Sequence, residues 1–74
     1  MKQYIFNIKL SYRECENLYE SSIQSIVVTA ITGERVQIPS TRLRRFVEPT
    51  GISGKFCLMV NKENKIHSFE RAID

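Results

Sequence analysis

Residues 2–10 of the chain, KQYIFNIKL, decide how the fold begins. The even-numbered positions from 4 to 10 are all apolar or aromatic, whereas Asn7 and Lys9 interrupt the odd-numbered ones. An alternation of period two is typical of a strand with one face in the core and the other in solvent. The sequence therefore predicts a first strand over residues 2–10.

A helix is predicted directly after this strand. Ser11 and Glu14 have the spacing of a capping box, in which each side chain bonds the backbone amide of the other residue. Over residues 12–20, a rotation of about 100° per residue separates an apolar face from a charged one. The face predicted to lie on the sheet carries Tyr12, Cys15, Leu18 and Tyr19.

Two hairpins account for the other strands. The first turns at residues 32–34, because Gly33 can adopt the positive φ of a tight turn. Pro39 ends its second strand, since proline cannot donate to a central ladder. The second hairpin turns at the polar residues 61–64. The four strands are predicted over residues 24–31, 35–38, 55–60 and 65–70. Residues 26–28 are apolar on both faces, which favours a central position for the first of these strands.

The predicted fold class is α+β, mainly β. It consists of a small, strongly bent, five-stranded antiparallel sheet or partly open barrel, with one helix after strand 1 and a short helical turn after strand 3. Ser40 is predicted to cap that turn, and Leu43 and Phe46 to lie on its buried side. The chain of 74 residues is expected to form a single domain over residues 1–74. At this size folding buries only about 60 % of the unfolded chain's surface, so the core must be small.

Length and composition argue against several classes of protein. No window approaches the roughly 18 consecutive apolar residues of a membrane helix. The N-terminal residues lack the small-residue cleavage site of a secretory signal. A cytoplasmic location is therefore expected, in which Cys15 and Cys57 stay reduced. Together with His67 they supply only three Cys or His ligands, one fewer than a structural zinc site uses, so no metal and no other cofactor is expected.

Catalytic chemistry is not expected either. The chain has one histidine, and its one aspartate is Asp74. A Cys57–His67 dyad would require the two side chains to be neighbours across the last hairpin. The polar turn instead sets His67 across from Met59 or Val60. The sequence therefore predicts a protein that is not an enzyme.

Positive charge is concentrated in the middle of the chain. The formal net charge is +3. Residues 35–55 hold five basic side chains and one glutamate, whereas residues 1–34 hold three basic side chains and four glutamates. The predicted anion or nucleic-acid site accordingly consists of Arg35, Ser40, Thr41, Arg42, Arg44, Arg45 and Lys55.

This basic stretch has three interpretations, which the sequence leaves open. Guanidinium groups beside the start of a helical turn could bind the phosphates of a nucleic acid or another polyanion. They could instead bind an acidic protein, or only keep the surface soluble while their stems cover apolar groups. Proteins that bind single-stranded nucleic acid also expose aromatic rings on which the bases stack. Only Tyr12 and Tyr19 are candidates for such rings. An edge strand over residues 65–70 would alternatively support a protein-interaction or self-associating scaffold, including a homodimer. No membrane partner is expected.

Several short motifs together resemble a known family. They are Tyr4-Ile5-Phe6-Asn7-Ile8, Ser11-Tyr12, Ile26-Val27-Val28, Thr32-Gly33-Glu34-Arg35, Val36-Gln37-Ile38-Pro39, Leu43-Arg44-Arg45-Phe46-Val47 and Gly51-Ile52-Ser53-Gly54-Lys55-Phe56. In combination they are similar to small gammaproteobacterial proteins of unknown function, the domain-of-unknown-function family 2835. The resemblance covers nearly the whole chain. It implies a stand-alone cytoplasmic bacterial protein and supplies no catalytic residues.

Overall fold

The computed structural model describes residues 1–72, which form two antiparallel sheets and short helices. One sheet has the strand order β1-β4-β5, the other pairs β2 with β3, and neither is closed. The predicted fold class, mainly β with a helix after the first strand and a short helix after the third, is confirmed. The elements in chain order are β1 (Lys2–Leu10), α1 (Tyr12–Cys15), a 3₁₀ helix (Glu16–Tyr19), β2 (Ser25–Thr29), β3 (Arg35–Pro39), α2 (Ser40–Arg44), β4 (Ile52–Val60) and β5 (Ile66–Arg71).

The first strand covers the residues that the alternation predicts. β1 pairs with β4 over its full length, from Lys2 opposite Val60 to Leu10 opposite Ile52. β4 therefore begins three residues before the predicted start at Lys55. The two strands form a nine-residue ladder, and β5 extends the sheet on the other side of β4.

The core lies between the inner faces of the two sheets. Phe56 and Phe69 stack with ring centroids 5.4 Å apart, and Phe46 meets Phe56 edge to face at 5.1 Å. Burying such rings is the main stabilising contribution in so small a domain. The buried apolar side chains are Phe6, Ile8, Cys15, Leu18, Ala30, Ile38, Leu43, Ile52, Phe56, Leu58, Val60 and Phe69.

The predicted helix face is wrong for its two tyrosines. Cys15 and Leu18 are buried, whereas Tyr12 and Tyr19 are 53 % and 60 % exposed. For Tyr19 the reason is the change from α to 3₁₀ geometry at Glu16. A 3₁₀ helix turns 120° per residue, so residues three apart lie on the same side. Leu18 therefore follows Cys15 into the core and Tyr19 is rotated out of it.

The predicted central position of the second strand is also wrong. β2 pairs only with β3 and spans Ser25–Thr29, shorter than predicted at both ends. A two-stranded ribbon covers the core with one face only, so Ile26 and Val28 pack inward while Val27 is 51 % exposed. Beyond the strand, the amide of Ile31 donates to the carbonyl of Ile5 at 2.8 Å and links the ribbon to β1.

Cys57 and His67, considered above as a catalytic dyad, are not opposite each other in the last hairpin. Cys57 lies opposite Glu70 in the β4–β5 ladder. The register shifts between Met59, opposite Ser68, and Val60, opposite Ile66. His67 is the extra residue between Ile66 and Ser68 at this shift, so it lies level with Met59 and Val60, as the turn position predicts, and not opposite Cys57.

The capping box at α1 has both of its predicted bonds. The Glu14 amide donates to Ser11 Oγ at 3.1 Å, and the Ser11 amide donates to Glu14 Oε1 at 3.0 Å. Hydrogen bonding from Ser11 lowers the pKa of Glu14 below its ordinary value of 4.5. Because the pKa of Glu14 is lower in the folded state, its ionised carboxylate stabilises that state at any pH above its pKa in the unfolded chain. This contribution is lost as the pH falls through its pKa in the folded state.

We expect Ser11→Ala to lower the free energy of unfolding by about 1 kcal/mol at pH 7, because the amide of Glu14 loses its acceptor. Urea denaturation measures the loss, and Ser22→Ala, in an exposed turn, is the matched control. The wild type should itself lose stability below about pH 4.5 as Glu14 is protonated. Equal midpoints for Ser11→Ala and Ser22→Ala would contradict the role of the cap.

Candidate functional site

The short helix α2 carries most of the predicted site residues, and its start differs from the prediction. Ser40 is the first helical residue and not the cap; Pro39 stands at the cap position and makes no side-chain cap bond. Ser40 is buried, with its amide donating to the carbonyl of Gln24 at 2.9 Å and its Oγ to that of Ile23 at 3.1 Å. Pro39 continues β3 by one residue, and Ser40 ties the helix to the segment before β2 instead of facing solvent.

Apolar contacts fix α2 against the core. Leu43 is fully buried, and Phe46 packs edge to face on Phe56 and on Phe69, with centroid distances of 5.1 and 5.7 Å. Residues three and four apart are neighbours on a helix surface. With Leu43 pointing inward, the exposed Thr41 and Arg45 and the half-buried Arg42 lie together on the solvent side.

Arg44 reaches from α2 to the 3₁₀ helix. Its Nε donates to the carbonyl of Leu18 at 2.6 Å, and its guanidinium carbon lies 5.6 Å from the centroid of the Tyr19 ring. A guanidinium over an aromatic face is an attractive cation–π arrangement. The charge of Arg44 is thereby held in one place, beside a tyrosine that is 60 % exposed.

The other two arginines of this segment are Arg42, within α2, and Arg45, at its C-terminal cap. The guanidinium carbon of Arg45 lies 5.6 Å from the Phe46 centroid, and Arg42 precedes it by three residues. No salt bridge within residues 1–72 joins any of the three arginines to a carboxylate. We call Arg42, Arg44 and Arg45 the arginine surface.

Two predicted site residues lie elsewhere. Arg35 begins β3, so four strand steps, about 13 Å, separate it from Pro39 and α2. It lines an open cleft at the other end of the ribbon, beside Tyr4 and Ile66. Lys55 alternates in β4 with the buried Phe56 and therefore faces the opposite side of the sheet from the aromatic cluster on which α2 is anchored. The structure thus keeps Thr41 and the three arginines on one short segment, and separates this segment from Arg35 and Lys55.

Tyr19 is the residue at this surface that sequence reasoning placed wrongly. A helical wheel assigns it to the buried face, and its exposure follows only from the 3₁₀ geometry. Arg71 is a third arginine that lies over an aromatic ring, and sequence reasoning did not single it out. Its guanidinium carbon lies 4.9 Å from the Phe56 centroid and its Nη2 bonds Glu48 at 3.1 Å. Arg71 is thus neutralised and closes the aromatic cluster.

Shifted pKa values are found for Lys2, Glu34 and Cys15. The hydrogen bonds that Lys2 makes with Tyr4 and donates to Glu34 raise the pKa of Lys2, and the bond from Lys2 lowers the pKa of Glu34. Burial raises the pKa of the Cys15 thiol, which favours the neutral form in the core. What α2 presents to solvent is fixed positive charge.

These observations describe a small, mainly β protein in which α2 and the residue after it carry three arginines, one of them beside an exposed tyrosine. None of the helices within residues 1–72 is long and apolar enough to cross a membrane. The chain belongs to the family described as protein of unknown function (DUF2835), whose model matches residues 2–72. The family resemblance of the sequence is thereby confirmed. No curated protein and no solved structure matches the chain.

Proposed function

We propose that the protein is a non-enzymatic binding module, cytoplasmic in location, that binds nucleic acid or another polyanion through the arginine surface. The observation that carries the proposal is the grouping of Arg42, Arg44 and Arg45 within four positions, with no salt bridge to a carboxylate in residues 1–72. A guanidinium can give two parallel hydrogen bonds to a phosphate. Thr41, exposed on the same side, adds a hydroxyl donor.

The fixed position of Arg44 favours binding over mere solubility. An arginine that only solubilises a surface keeps its rotamer freedom, whereas the bond to Leu18 and the stack on Tyr19 restrict Arg44 before any ligand arrives. A preorganised charge loses less entropy when it binds. The bond to Leu18 uses Nε, and no hydrogen bond within residues 1–72 uses the terminal nitrogens, which can then contact an anion.

The test compares two double variants with equal loss of charge. Arg42→Ala/Arg45→Ala removes two members of the arginine surface while leaving Arg44 and its contacts in place. Lys62→Ala/Lys65→Ala removes the same charge from the polar turn beyond the far end of β4. Binding of a 12-nucleotide single-stranded DNA and of heparin is measured by fluorescence anisotropy between 50 and 200 mM salt, where each lost phosphate contact reduces the log–log salt slope by about 0.7 on a single strand.

We expect the arginine variant to bind about tenfold more weakly at 50 mM salt and to show a slope smaller by about 1.4, because two phosphate contacts are lost. The lysine variant should stay within about twofold of the wild type. Equal affinities for the two variants would show that binding depends on net charge alone and would overturn the proposal. So would a wild type that binds neither polyanion.

The alternative function is a protein-interaction or self-associating scaffold. It draws on the edge position of β5, which pairs with β4 alone in the strand order. The bulge at His67 weighs against it, because bulges interrupt the regular edge that a second strand needs. A molecular mass measured by analytical ultracentrifugation decides this point, since a dimer insensitive to salt would favour the scaffold.

A further inference from the structure

We propose that the polyanion is a single-stranded nucleic acid, and that Tyr19 stacks on one of its bases while the arginine surface holds the neighbouring phosphates. This inference rests on the proposed function and adds a substrate class to it. It is carried by a second observation, the exposed aromatic ring that lies against the arginine surface.

The Tyr19–Arg44 pair has the properties of a stacking platform. Tyr19 keeps 60 % of its surface exposed although it is the last residue of a helix whose preceding residue, Leu18, is fully buried. The buried neighbour anchors the backbone, and Arg44 bonds that same backbone at the Leu18 carbonyl. The ring is thus held at the surface by its neighbours on the chain and by a guanidinium, and it presents apolar area to solvent.

This combination suits one class of polyanion. Bases of a single strand are free to stack on aromatic side chains, which is sequence-tolerant because every base has a flat face. In a duplex the bases are already stacked and paired, so the ring of Tyr19 could reach none without unstacking it. Heparin, polyphosphate and acidic peptides offer charge to the arginines but no row of bases to the tyrosine. Tyr19 therefore distinguishes a single strand from other polyanions.

The arrangement also limits the size of the contact. Arg42 and Arg45 are three residues apart, which is about 4.5 Å along a helix axis, and Arg44 lies between them in sequence. Side chains so close together can contact only phosphates that are adjacent along the nucleic-acid strand. We expect a site of a few nucleotides, at the short end of those known for single-strand binding surfaces.

The experiment uses the full chain and three 12-nucleotide probes: oligothymidylate, an abasic strand of equal length and charge, and the thymidylate–adenylate duplex. The variants are Tyr19→Ala, Tyr19→Phe and, as a matched control, Tyr12→Ala, whose tyrosine is 53 % exposed and is not covered by an arginine in the described residues. Circular dichroism and melting temperature show that each variant is folded. Tyr19→Phe keeps the ring and separates stacking from the hydroxyl.

We expect the wild type to bind oligothymidylate at least fivefold more tightly than the abasic strand, since one stacked base contributes about that much. Tyr19→Ala should lose this preference and bind oligothymidylate and the abasic strand equally, whereas Tyr19→Phe and Tyr12→Ala should keep it. Equal binding of oligothymidylate and abasic strand by the wild type, or equal losses in Tyr19→Ala and Tyr12→Ala, would overturn the inference. In that case Arg42→Ala/Arg45→Ala still tests the polyanion function separately.

Discussion

Gly51→Ala is expected to lower the free energy of unfolding by about 4 kcal/mol or more. The residue has a φ of +104°, and a Cβ atom placed on it would lie 2.0 Å from the carbonyl oxygen of Leu10 and 2.9 Å from the amide nitrogen of Tyr12. These are backbone atoms of the junction between β1 and α1, which cannot move aside as a flexible side chain can. The turn itself is held by reciprocal bonds between Glu48 and Gly51, at 2.8 and 2.9 Å.

The magnitude follows from two contributions. The left-handed conformation costs a residue with a Cβ atom about 1–2 kcal/mol, and opening the β1–α1 junction costs more. A domain of this length has a total stability of about 4–11 kcal/mol, so a loss of 4 kcal/mol or more is severe. Far-ultraviolet circular dichroism and urea denaturation at 25 °C measure it.

Gly33→Ala is the matched control. Gly33 has a φ of +94°, but a Cβ atom there would meet no atom within 4 Å. The substitution introduces the conformational cost without the clash and should lower stability by about 1–2 kcal/mol. If the two alanine variants unfolded at the same urea concentration, the close approach of Gly51 to β1 would not be what makes that position sensitive.

Phe56→Ala should lower the free energy of unfolding by about 3–5 kcal/mol, since it empties the centre of the aromatic cluster. Phe56 is completely buried, stacks on Phe69, receives the edge of Phe46, and is covered by the Arg71 guanidinium at 4.9 Å. Removing the ring leaves a cavity and deprives three neighbours of their contacts. A shift of the urea midpoint with an unchanged slope is the expected readout.

Val27→Ala serves as the control for this second prediction. Val27 lies in a strand but is 51 % exposed, so its truncation should change stability by no more than about 0.5 kcal/mol. Phe56→Leu, which refills much of the cavity, should fall between the two. A Phe56→Ala variant as stable as Val27→Ala would mean that the aromatic cluster contributes little to the stability of the core.

Local chemistry in the sequence determined the elements of the fold. The alternation of residues 2–10 gave the bounds of β1, the Ser11–Glu14 spacing gave the cap of α1, and Gly33 gave the first hairpin, which the structure confirms with bonds between Ala30 and Glu34 and between Gly33 and Ala30. These features depend on neighbours a few residues away. The concentration of arginines around position 44 is likewise a property of the sequence alone.

Tertiary packing decided which side chains share a surface. Apolar residues 26–28 are compatible with a central strand or with a ribbon, and only pairing with β3 alone placed Val27 outside. Arg35, Lys55 and the arginine surface are close in sequence, yet strand direction and face separate them. Tyr19 came to the surface because the last turn before Glu20 tightened to 3₁₀ geometry while Leu18 entered the core. The spacing of apolar residues along the sequence cannot reveal which side chains are exposed in these cases. Their exposure depends on which elements, distant in sequence, pack into the same part of the core.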